Sequence, residues 1–98
     1  MKIAHQRNGI SFEWDSEKAA LNRQKHDVDF ETACEVFFDP FVQPTDAGEW
    51  SDEARLAVIG MTEGWDFLFV VYVERGDALR IISARPATTK ERRHYEDV

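Results

Sequence analysis

Seven consecutive apolar or aromatic residues, 67–73, restrict the fold of this chain more than any other stretch. A strand that is apolar on both faces belongs in a sheet that is covered on both sides, because neighbouring side chains of a strand point to opposite faces. We therefore predict that this stretch is the central strand. Gly76 and Asp77 supply a tight turn after it, and residues 79–85 return as the second strand of an antiparallel hairpin.

The residues before the central strand predict a short strand and two helices. Apolar and polar residues alternate over residues 10–14, which is typical of a half-buried strand. Asp15 is placed to cap a helix over residues 16–26. Asp29 is placed to cap a second helix, which ends before Asp39-Pro40. The second helix has apolar residues at the spacing i, i+3, i+4 and i+7: Phe30, Ala33, Cys34 and Phe37.

The rest of the chain completes an α+β domain, in which an antiparallel β-sheet packs with N-terminal helices and a C-terminal helix. Residues 41–45 are predicted to be an edge strand, because Pro44 has no N–H to donate to a partner. Further elements are a loop at residues 46–53, a strand at residues 55–61 and a turn at Glu63-Gly64. A chain of 98 residues supports one hydrophobic core, so we expect a single domain over residues 1–98.

A strand-to-helix corner at the end of the hairpin is rich in cations. Thr88 and Glu91 have the spacing of a capping box, in which each side chain accepts a hydrogen bond from a backbone N–H, and Glu91 is therefore interpreted as a cap rather than as a general base. Five cations lie in or beside this corner: Arg80, Arg85, Lys90, Arg92 and Arg93. These side chains either solvate an edge strand and an exposed helix or bind phosphate groups.

Charge is distributed unevenly along the chain, whose net charge is −7. Residues 27–54 carry nine acids and no Lys or Arg, whereas residues 75–98 carry six Lys or Arg against four acids. The acidic total argues against a protein that binds nucleic acid through bulk charge. A basic end could meet phosphates while the acidic middle meets a cationic partner, or the two parts could neutralise each other in the fold.

Composition argues against several other classes of protein. Cys34 is the only cysteine, so we expect neither an internal disulfide nor a cysteine-based zinc site, and we predict a small core residue on a helix. The sequence shows no metal-ligand cluster, and no cofactor is expected. The longest apolar run is too short to span a bilayer and the N-terminus has no apolar signal region, so we expect a cytoplasmic protein with a loose N-terminus and no role for His5.

Several short elements of the sequence are typical of one family when they occur together. They are W-D at residues 14–15, N-x-x-K-H at residues 22–26, I-S-A-R at residues 82–85 and E-R-R-x-Y at residues 91–95. In this order they resemble the BrnT family of bacterial type II toxin-antitoxin systems. The resemblance implies a RelE-like ribonuclease toxin that inhibits translation and is neutralised by a BrnA-like antitoxin. It also implies a hetero-oligomer that reaches DNA only through the antitoxin.

Two residues depart from the pattern of that family. Asp27 follows Lys25-His26 where the family usually has glycine, and Pro86 follows the I-S-A-R element where a basic residue is frequent. Both changes lower the local positive potential. Asp27 also stands just past the end of the first helix, where a left-handed backbone conformation is common and favours Gly or Asn.

The resemblance directs attention to RNA cleavage without a metal ion. That reaction needs a base for the 2′-hydroxyl proton, cations for the charge on phosphorus and an acid for the departing 5′-oxygen. We assign proton transfer to His26, because imidazole titrates near neutral pH. Its neighbour Lys25 would bind phosphate or share the proton transfer. Arg80 and Arg85 would clamp the phosphate, because a guanidinium offers paired N–H donors.

This hypothesis requires the end of the first helix to meet the last strand. His26 and at least one of Arg80 and Arg85 must then open onto a shared concave surface. Alternation along the strand places the two arginines on opposite faces unless the strand twists or bulges between them.

Other basic and aromatic residues are secondary candidates. The predicted RNA-binding residues are Arg55, Arg75, Arg92 and Arg93. Three tryptophans could stack bases: Trp14, which we assign to the core, and Trp50 and Trp65, which the sequence leaves open. Tyr95 is predicted to pack its ring on the sheet.

Two other functions stay open beside the nuclease. The first is a catalytically weak or inactive module that binds an antitoxin, which Asp27, Pro86 and the acidic total favour. The second is a domain that recognises DNA directly, which the net charge disfavours. Four apolar residues could form an antitoxin groove, a self-association surface or ordinary core: Phe38, Phe41, Val42 and Trp50.

Overall fold

A computed structural model describes residues 1–48 and 54–97 of the chain. The strands are β1 (Lys2–Arg7), β2 (Ile10–Asp15), β3 (Gln43–Thr45), β4 (Leu56–Met61), β5 (Phe67–Arg75) and β6 (Ala78–Pro86). The helices are α1 (Ser16–His26), α2 (Phe30–Ala33), a 3₁₀ helix (Cys34–Phe38) directly after α2, and α3 (Thr89–Glu96). No described helix has the length and apolar character needed to cross a membrane. Trp50 and the other loop residues from 49 to 53 lie outside the described residues.

The six strands form one mixed sheet in the order β1-β2-β6-β5-β4-β3. The pair β2 and β6 is parallel, with Phe12 opposite Leu79 and Glu13 opposite Arg80, and the other described pairs are antiparallel. The α+β class is confirmed, but the prediction of an antiparallel sheet is wrong at this pair. Alternation within a strand indicates which face is buried and does not indicate the direction of a partner that is distant in the sequence.

The N-terminal residues, which we expected to be loose, form the edge strand β1. Asn8 and Gly9 connect β1 to β2 with φ angles of 49° and 83°, and two positive φ angles are what a type I′ hairpin turn requires. His5 is part of β1, with its ring centroid 5.5 Å from that of Trp14. The Asn-Gly dipeptide is a strong hairpin signal, so this strand was predictable from the sequence.

The central strand β5 is covered on both faces, as the sequence predicts. It lies between β6 and β4. Leu68 and Val70 contribute to the larger core, which includes Phe30 of α2. Phe69 belongs to a smaller cluster on the other face, and Tyr95 of α3 packs against that cluster. The fully buried large side chains of the larger core include Phe12, Phe30, Val36, Val70 and Ile81.

The second helix is shorter than predicted, because only Phe30–Ala33 is α-helical and the chain continues as a 3₁₀ helix. The 3₁₀ segment contains β-branched and aromatic residues of moderate helix propensity, and packing against the sheet decides its path. Asp29 occupies the N-cap position of α2 without a capping hydrogen bond from its side chain. That carboxylate instead lies 3.4 Å from Arg23.

The structure also places the apolar residues whose role the sequence left open. Phe38 and Val42 are half-buried against the larger core, whereas the side chain of Phe41 is 69% exposed. Cys34 is completely buried, and burial raises the pKa of its thiol to about 12. Cys34 is therefore the core residue that we predicted, although it begins the 3₁₀ helix.

Gly60 of β4 allows the sheet to approach the 3₁₀ helix closely. A Cβ atom on Gly60 would lie 2.7 Å from the Cβ of Val36 and 3.0 Å from its carbonyl oxygen. Both Val36 atoms belong to a buried residue that cannot rotate away, so a methyl group here would force the two elements apart.

We predict that Gly60→Ala lowers the free energy of unfolding by about 1–3 kcal/mol, because it overpacks this contact. Chemical denaturation of the purified protein would measure the change. Gly64→Ala is the matched control, since a Cβ there would be no closer than 3.7 Å to a neighbouring atom and should change stability by less than about 0.5 kcal/mol. Equal stability of the two variants would contradict the prediction.

Candidate functional site

Buried Asn22 attaches the C-terminal end of α1 to β6. Its amide nitrogen donates to the carbonyl oxygens of Val28 at 3.0 Å and Ala84 at 2.8 Å, and its amide oxygen accepts from the N–H of Ala84 at 3.1 Å. Asp27 follows the helix with a left-handed φ of 56°, and its N–H donates to the carbonyl of Arg23. The end of the first helix therefore meets the last strand, as the hypothesis requires.

His26 is half-buried and lines a cleft of about 620 Å³ at this end of the sheet. The other lining residues that bear on chemistry are Asp27, Asp29, Trp65, Asp66, Phe67 and Arg92. Lys25 is exposed and lines a different cavity, together with Leu21 and Gln24. Consecutive positions on a helix point about 100° apart, which separates the two side chains although they are neighbours in the sequence.

Arg92 brings a cation into the cleft of His26. Its guanidinium carbon lies 4.3 Å from the centroid of the Phe67 ring, a cation–π contact that positions the group over the start of β5. The Nε atom is also 3.5 Å from Glu96, with both side chains more than half exposed. Exposed pairs of this kind are weak, so a phosphate oxygen could replace the carboxylate.

Arg85 is held more firmly at the corner between β6 and α3. Its two terminal nitrogens donate to the two carboxylate oxygens of Glu91, both at 2.8 Å, and its guanidinium carbon lies 4.3 Å from the centroid of the Phe69 ring. Glu91 also accepts from the N–H of Thr88 at 2.8 Å, which completes the predicted capping box. The hydrogen bond from Arg85 holds the pKa of Glu91 below its ordinary value, and Glu91 raises the pKa of Arg85 in turn.

Arg80 is paired with a buried carboxylate. Its guanidinium donates to Glu13 at 2.9 Å, and Glu13, only 7% exposed, also lies 3.3 Å from Lys2. Burial would raise the pKa of Glu13, but the hydrogen bonds from Arg80 and Lys2 keep it below the ordinary value. Removing Arg80 would therefore leave a buried carboxylate with less compensation.

A bulge decides which face of the sheet these two arginines occupy. The register between β5 and β6 shifts next to Val71, so that Arg80 lies opposite Val73 and Arg85 opposite Phe69. Val73 and Phe69 are an even number of residues apart, and opposite residues share a face. Arg80 and Arg85 therefore lie on the same face, roughly 13 Å apart along the strand.

The remaining predicted RNA-binding residues are spread over the surface. Arg55 lines another cavity, of about 420 Å³, together with Arg85. Arg75 ends β5 opposite Ala78, at the far end of that strand from the cleft of His26. Arg93 is exposed on α3. The cleft of His26 thus contains Arg92 of this group and neither Arg80 nor Arg85. The expectation that His26 shares a concave surface with one of those two arginines is therefore wrong for this cleft, where Arg92 of α3 supplies the guanidinium.

Sequence reasoning gave no role to several residues that shape the site, among them Asn22 and Glu13. Tyr95 packs its ring edge-on against Phe67, with centroids 5.1 Å apart, as predicted. Its hydroxyl also donates to Asp39 at 2.7 Å, and burial together with this carboxylate raises the pKa of Tyr95 to about 12. An asparagine inside a helix is a weak signal for such a role, whereas the sequence held no signal for the Tyr95–Asp39 contact.

The described residues contain no group of three or more His, Cys, Asp or Glu side chains placed to hold a metal ion. The ionisable side chains that line the cleft of His26 are instead one imidazole, one guanidinium and three carboxylates.

The comparisons with known proteins agree with the resemblance that the sequence motifs suggest. A family model described as the ribonuclease toxin BrnT of type II toxin-antitoxin systems matches residues 14–91. The chain belongs to the BrnT family. The crystal structure of the Brucella abortus ribonuclease toxin BrnT is similar, with 32% sequence identity, a TM-score of 0.53, and coverage of 78% of this chain and 94% of that one. A comparison with curated proteins found no match.

The BrnT family match spans the end of β2, the whole of α1 and the corner between β6 and α3. It therefore contains the lining residues of the His26 cleft except Arg92, and it includes the Arg85–Glu91 pair.

We predict that Glu91→Gln lowers the free energy of unfolding by about 1–2 kcal/mol at neutral pH, because it weakens both the ion pair and the helix cap. The folded chain lowers the pKa of Glu91, so this stabilisation is complete above the ordinary glutamate pKa of about 4.3 and is lost as the pH falls through the lowered value. Denaturation of wild type and variant at several pH values would measure the difference, which should shrink below about pH 4.

Glu96→Gln is the matched control on the same helix, because the pair of Glu96 with Arg92 is exposed and should contribute less than about 0.5 kcal/mol. A stability difference for Glu91→Gln that stays constant from neutral to acidic pH would contradict the linkage.

Proposed function

We propose that this protein is an endoribonuclease that cleaves RNA without a metal ion and inhibits translation. The family is one of ribonuclease toxins, and we propose the same activity for this chain. With it we propose a RelE-like fold, one toxin domain over residues 1–98, and a cytoplasmic site of action. The observation that carries the proposal is the cleft in which His26 and Arg92 lie together.

In the proposed reaction His26 takes the proton of a ribose 2′-hydroxyl. The 2′-oxygen forms a bond to the adjacent phosphorus, and the bond from phosphorus to the 5′-oxygen breaks. The protonated His26, or Lys25 as the residue that shares the proton transfer, then donates a proton to the departing 5′-oxygen. Arg92 donates N–H groups to the phosphate oxygens, whose negative charge grows as the transition state forms.

The other predicted site residues act around this centre in the proposal. Lys25 is exposed one residue before His26 and binds phosphate or shares the proton transfer. Arg80 and Arg85 clamp phosphate if the RNA displaces their carboxylate partners. Glu91 is easier to displace than Glu13, because Glu13 is more deeply buried. Exposed arginines bind the RNA backbone: Arg55, Arg75 and Arg93.

The proposed partner is a BrnA-like antitoxin, which neutralises the toxin in a hetero-oligomer and contacts DNA on its behalf. The support for this is membership of a family of type II toxins, since such toxins act with an antitoxin. The net charge of −7 is consistent with a chain that does not itself bind duplex DNA through its phosphates.

A second candidate is a catalytically weak or inactive module that binds the antitoxin, and one observation favours it. Three carboxylates line the cleft of His26: Asp27, Asp29 and Asp66. They lower the positive potential where a phosphate would bind. The two functions differ in whether the purified protein cleaves RNA in the presence or absence of ribosomes.

We predict that His26→Ala reduces the rate of RNA cleavage by about 10²–10⁴-fold, the usual contribution of a general acid or base. His94→Ala is the matched control, because His94 is exposed on α3, contacts the carbonyl of Pro44 and should leave the rate unchanged. Cleavage of a labelled RNA by the purified proteins, with and without ribosomes, measures the effect.

The same variants can be compared in cells without antitoxin, where wild type and His94→Ala should arrest growth and His26→Ala should not. Intact RNA with the wild-type protein in both conditions, together with tight antitoxin binding, would favour the inactive module. Equal cleavage by wild type and His26→Ala would remove His26 from the mechanism.

A further inference from the structure

The turn between β4 and β5 presents Trp65 in an unusual way. The side chain is 80% exposed and the backbone has a φ of 69°. Buried Thr62 fixes this geometry, because its carbonyl accepts from the N–H of Trp65 at 3.0 Å and its N–H donates to the carbonyl of Asp66 at 2.9 Å. The Thr62 hydroxyl also accepts from the N–H of Asp66 at 3.1 Å. The indole is thus held outside the core by a hydrogen-bonded turn.

Neither backbone preference nor burial explains a tryptophan at this position. A positive φ is unfavourable for a bulky side chain and natural for glycine, and Gly64 is the preceding residue rather than the one that adopts it. Most of the apolar indole surface stays in water, so the side chain gains little from the hydrophobic effect. Backbone strain of this kind occurs at ligand-binding sites, where an outlier motivates a functional hypothesis.

The surroundings of Trp65 match the parts of a nucleotide. The indole shares its cleft with Arg92 and His26, which supply donors for phosphate and a group for proton transfer. The volume of about 620 Å³ lies within the range of small-molecule sites, roughly 300–1,000 Å³. An aromatic ring beside a cation is the combination with which proteins bind single-stranded nucleic acid.

The carboxylates of the cleft fit a base better than a phosphate. Asp66 follows Trp65 in the chain and lines the same cleft. A carboxylate repels phosphate but accepts hydrogen bonds from the amino groups of bases. We therefore expect the phosphate to contact Arg92 and the base to contact Trp65 and Asp66.

We propose that Trp65 is a stacking platform for an unpaired base of the RNA substrate. This rests on the proposed function in one respect, namely that the ligand is RNA. It adds a residue that determines how the RNA is positioned relative to His26, and it explains why the indole is held in water.

The test measures binding separately from cleavage. The probe is a fluorescently labelled single-stranded octaribonucleotide with 2′-O-methyl groups, which has no free 2′-hydroxyl and stays intact. We expect Trp65→Leu to weaken its binding to the full chain by roughly 5- to 150-fold, the usual effect of losing one base–aromatic stack. Trp65→Phe should weaken binding less, because it keeps an aromatic ring.

Two controls separate stacking from general effects. Phe41→Leu removes an aromatic residue that is 69% exposed outside the cleft and should leave the affinity unchanged. An abasic version of the oligonucleotide should bind wild type and Trp65→Leu equally, since it offers no base to stack. Trp65→Gly should unfold at or above the temperature of the wild type, because glycine accepts the positive φ, and should still bind the RNA weakly.

Equal affinity of wild type and Trp65→Leu would overturn the proposal, as would a wild type that does not bind the probe. If Trp65→Leu weakens binding of the antitoxin but not of the RNA probe, the proposal is also overturned, and Trp65 belongs to the surface that binds the antitoxin. A separate result would show that the nuclease proposal fails. If binding depends on Trp65 but unmodified RNA is not cleaved, the stacking role of Trp65 is supported and the catalytic function is contradicted. If RNA is cleaved and neither binding nor cleavage depends on Trp65, the catalytic function is supported and the stacking role is contradicted.

Discussion

The buried amide of Asn22 holds the first helix against the sheet, and the geometry of the candidate site depends on this attachment. Within α1, all of which is described, Asn22 alone is buried. Ala19 packs against the core, but Leu21 is 63% exposed, so apolar packing fixes the helix only weakly. Two of the three hydrogen bonds of the amide are made with the backbone of Ala84. Because a buried amide without partners is destabilising, these bonds favour one position of the helix end, and that position sets His26 at the cleft.

Pairing with carboxylates accounts for much of the basic run at the end of the chain, and the pairs differ in exposure. Ordered from the least to the most exposed, they are Arg80–Glu13, Arg85–Glu91 and Arg92–Glu96. Partial burial strengthens the first two pairs, whereas water and salt screen the third. An anion would therefore compete with a carboxylate most easily on the α3 side of the corner. Under the proposed function, phosphate would bind at this exposed pair although the net charge of the chain is negative.

Around the candidate site, the sequence predicted local structure that depends on the spacing of neighbouring residues, but it did not predict the strand registers. The capping box of Thr88 and Glu91 follows from four consecutive residues and forms as predicted. The common face of Arg80 and Arg85 depends on the bulge beside Val71. Sequence alternation allowed that outcome without predicting it, because a bulge is fixed by how two strands pair and not by either strand alone. For the same reason the sequence did not indicate that the cleft of His26 would contain a residue of α3.

The sequence by itself determined the elements whose causes lie within a few residues. These are the doubly buried strand β5, the limits of α1 between Asp15 and Asp27, and the hairpin signal at Asn8-Gly9, since alternation, caps and turn residues act on their own neighbourhood. Only the tertiary structure decided that β2 runs parallel to β6 and that Asn22 reaches that strand. Many pairings of the strands would satisfy the same local pattern of apolar and polar residues, but only one of them also buries the whole core. Contacts between residues so far apart in the sequence therefore depend on the packing of the whole sheet.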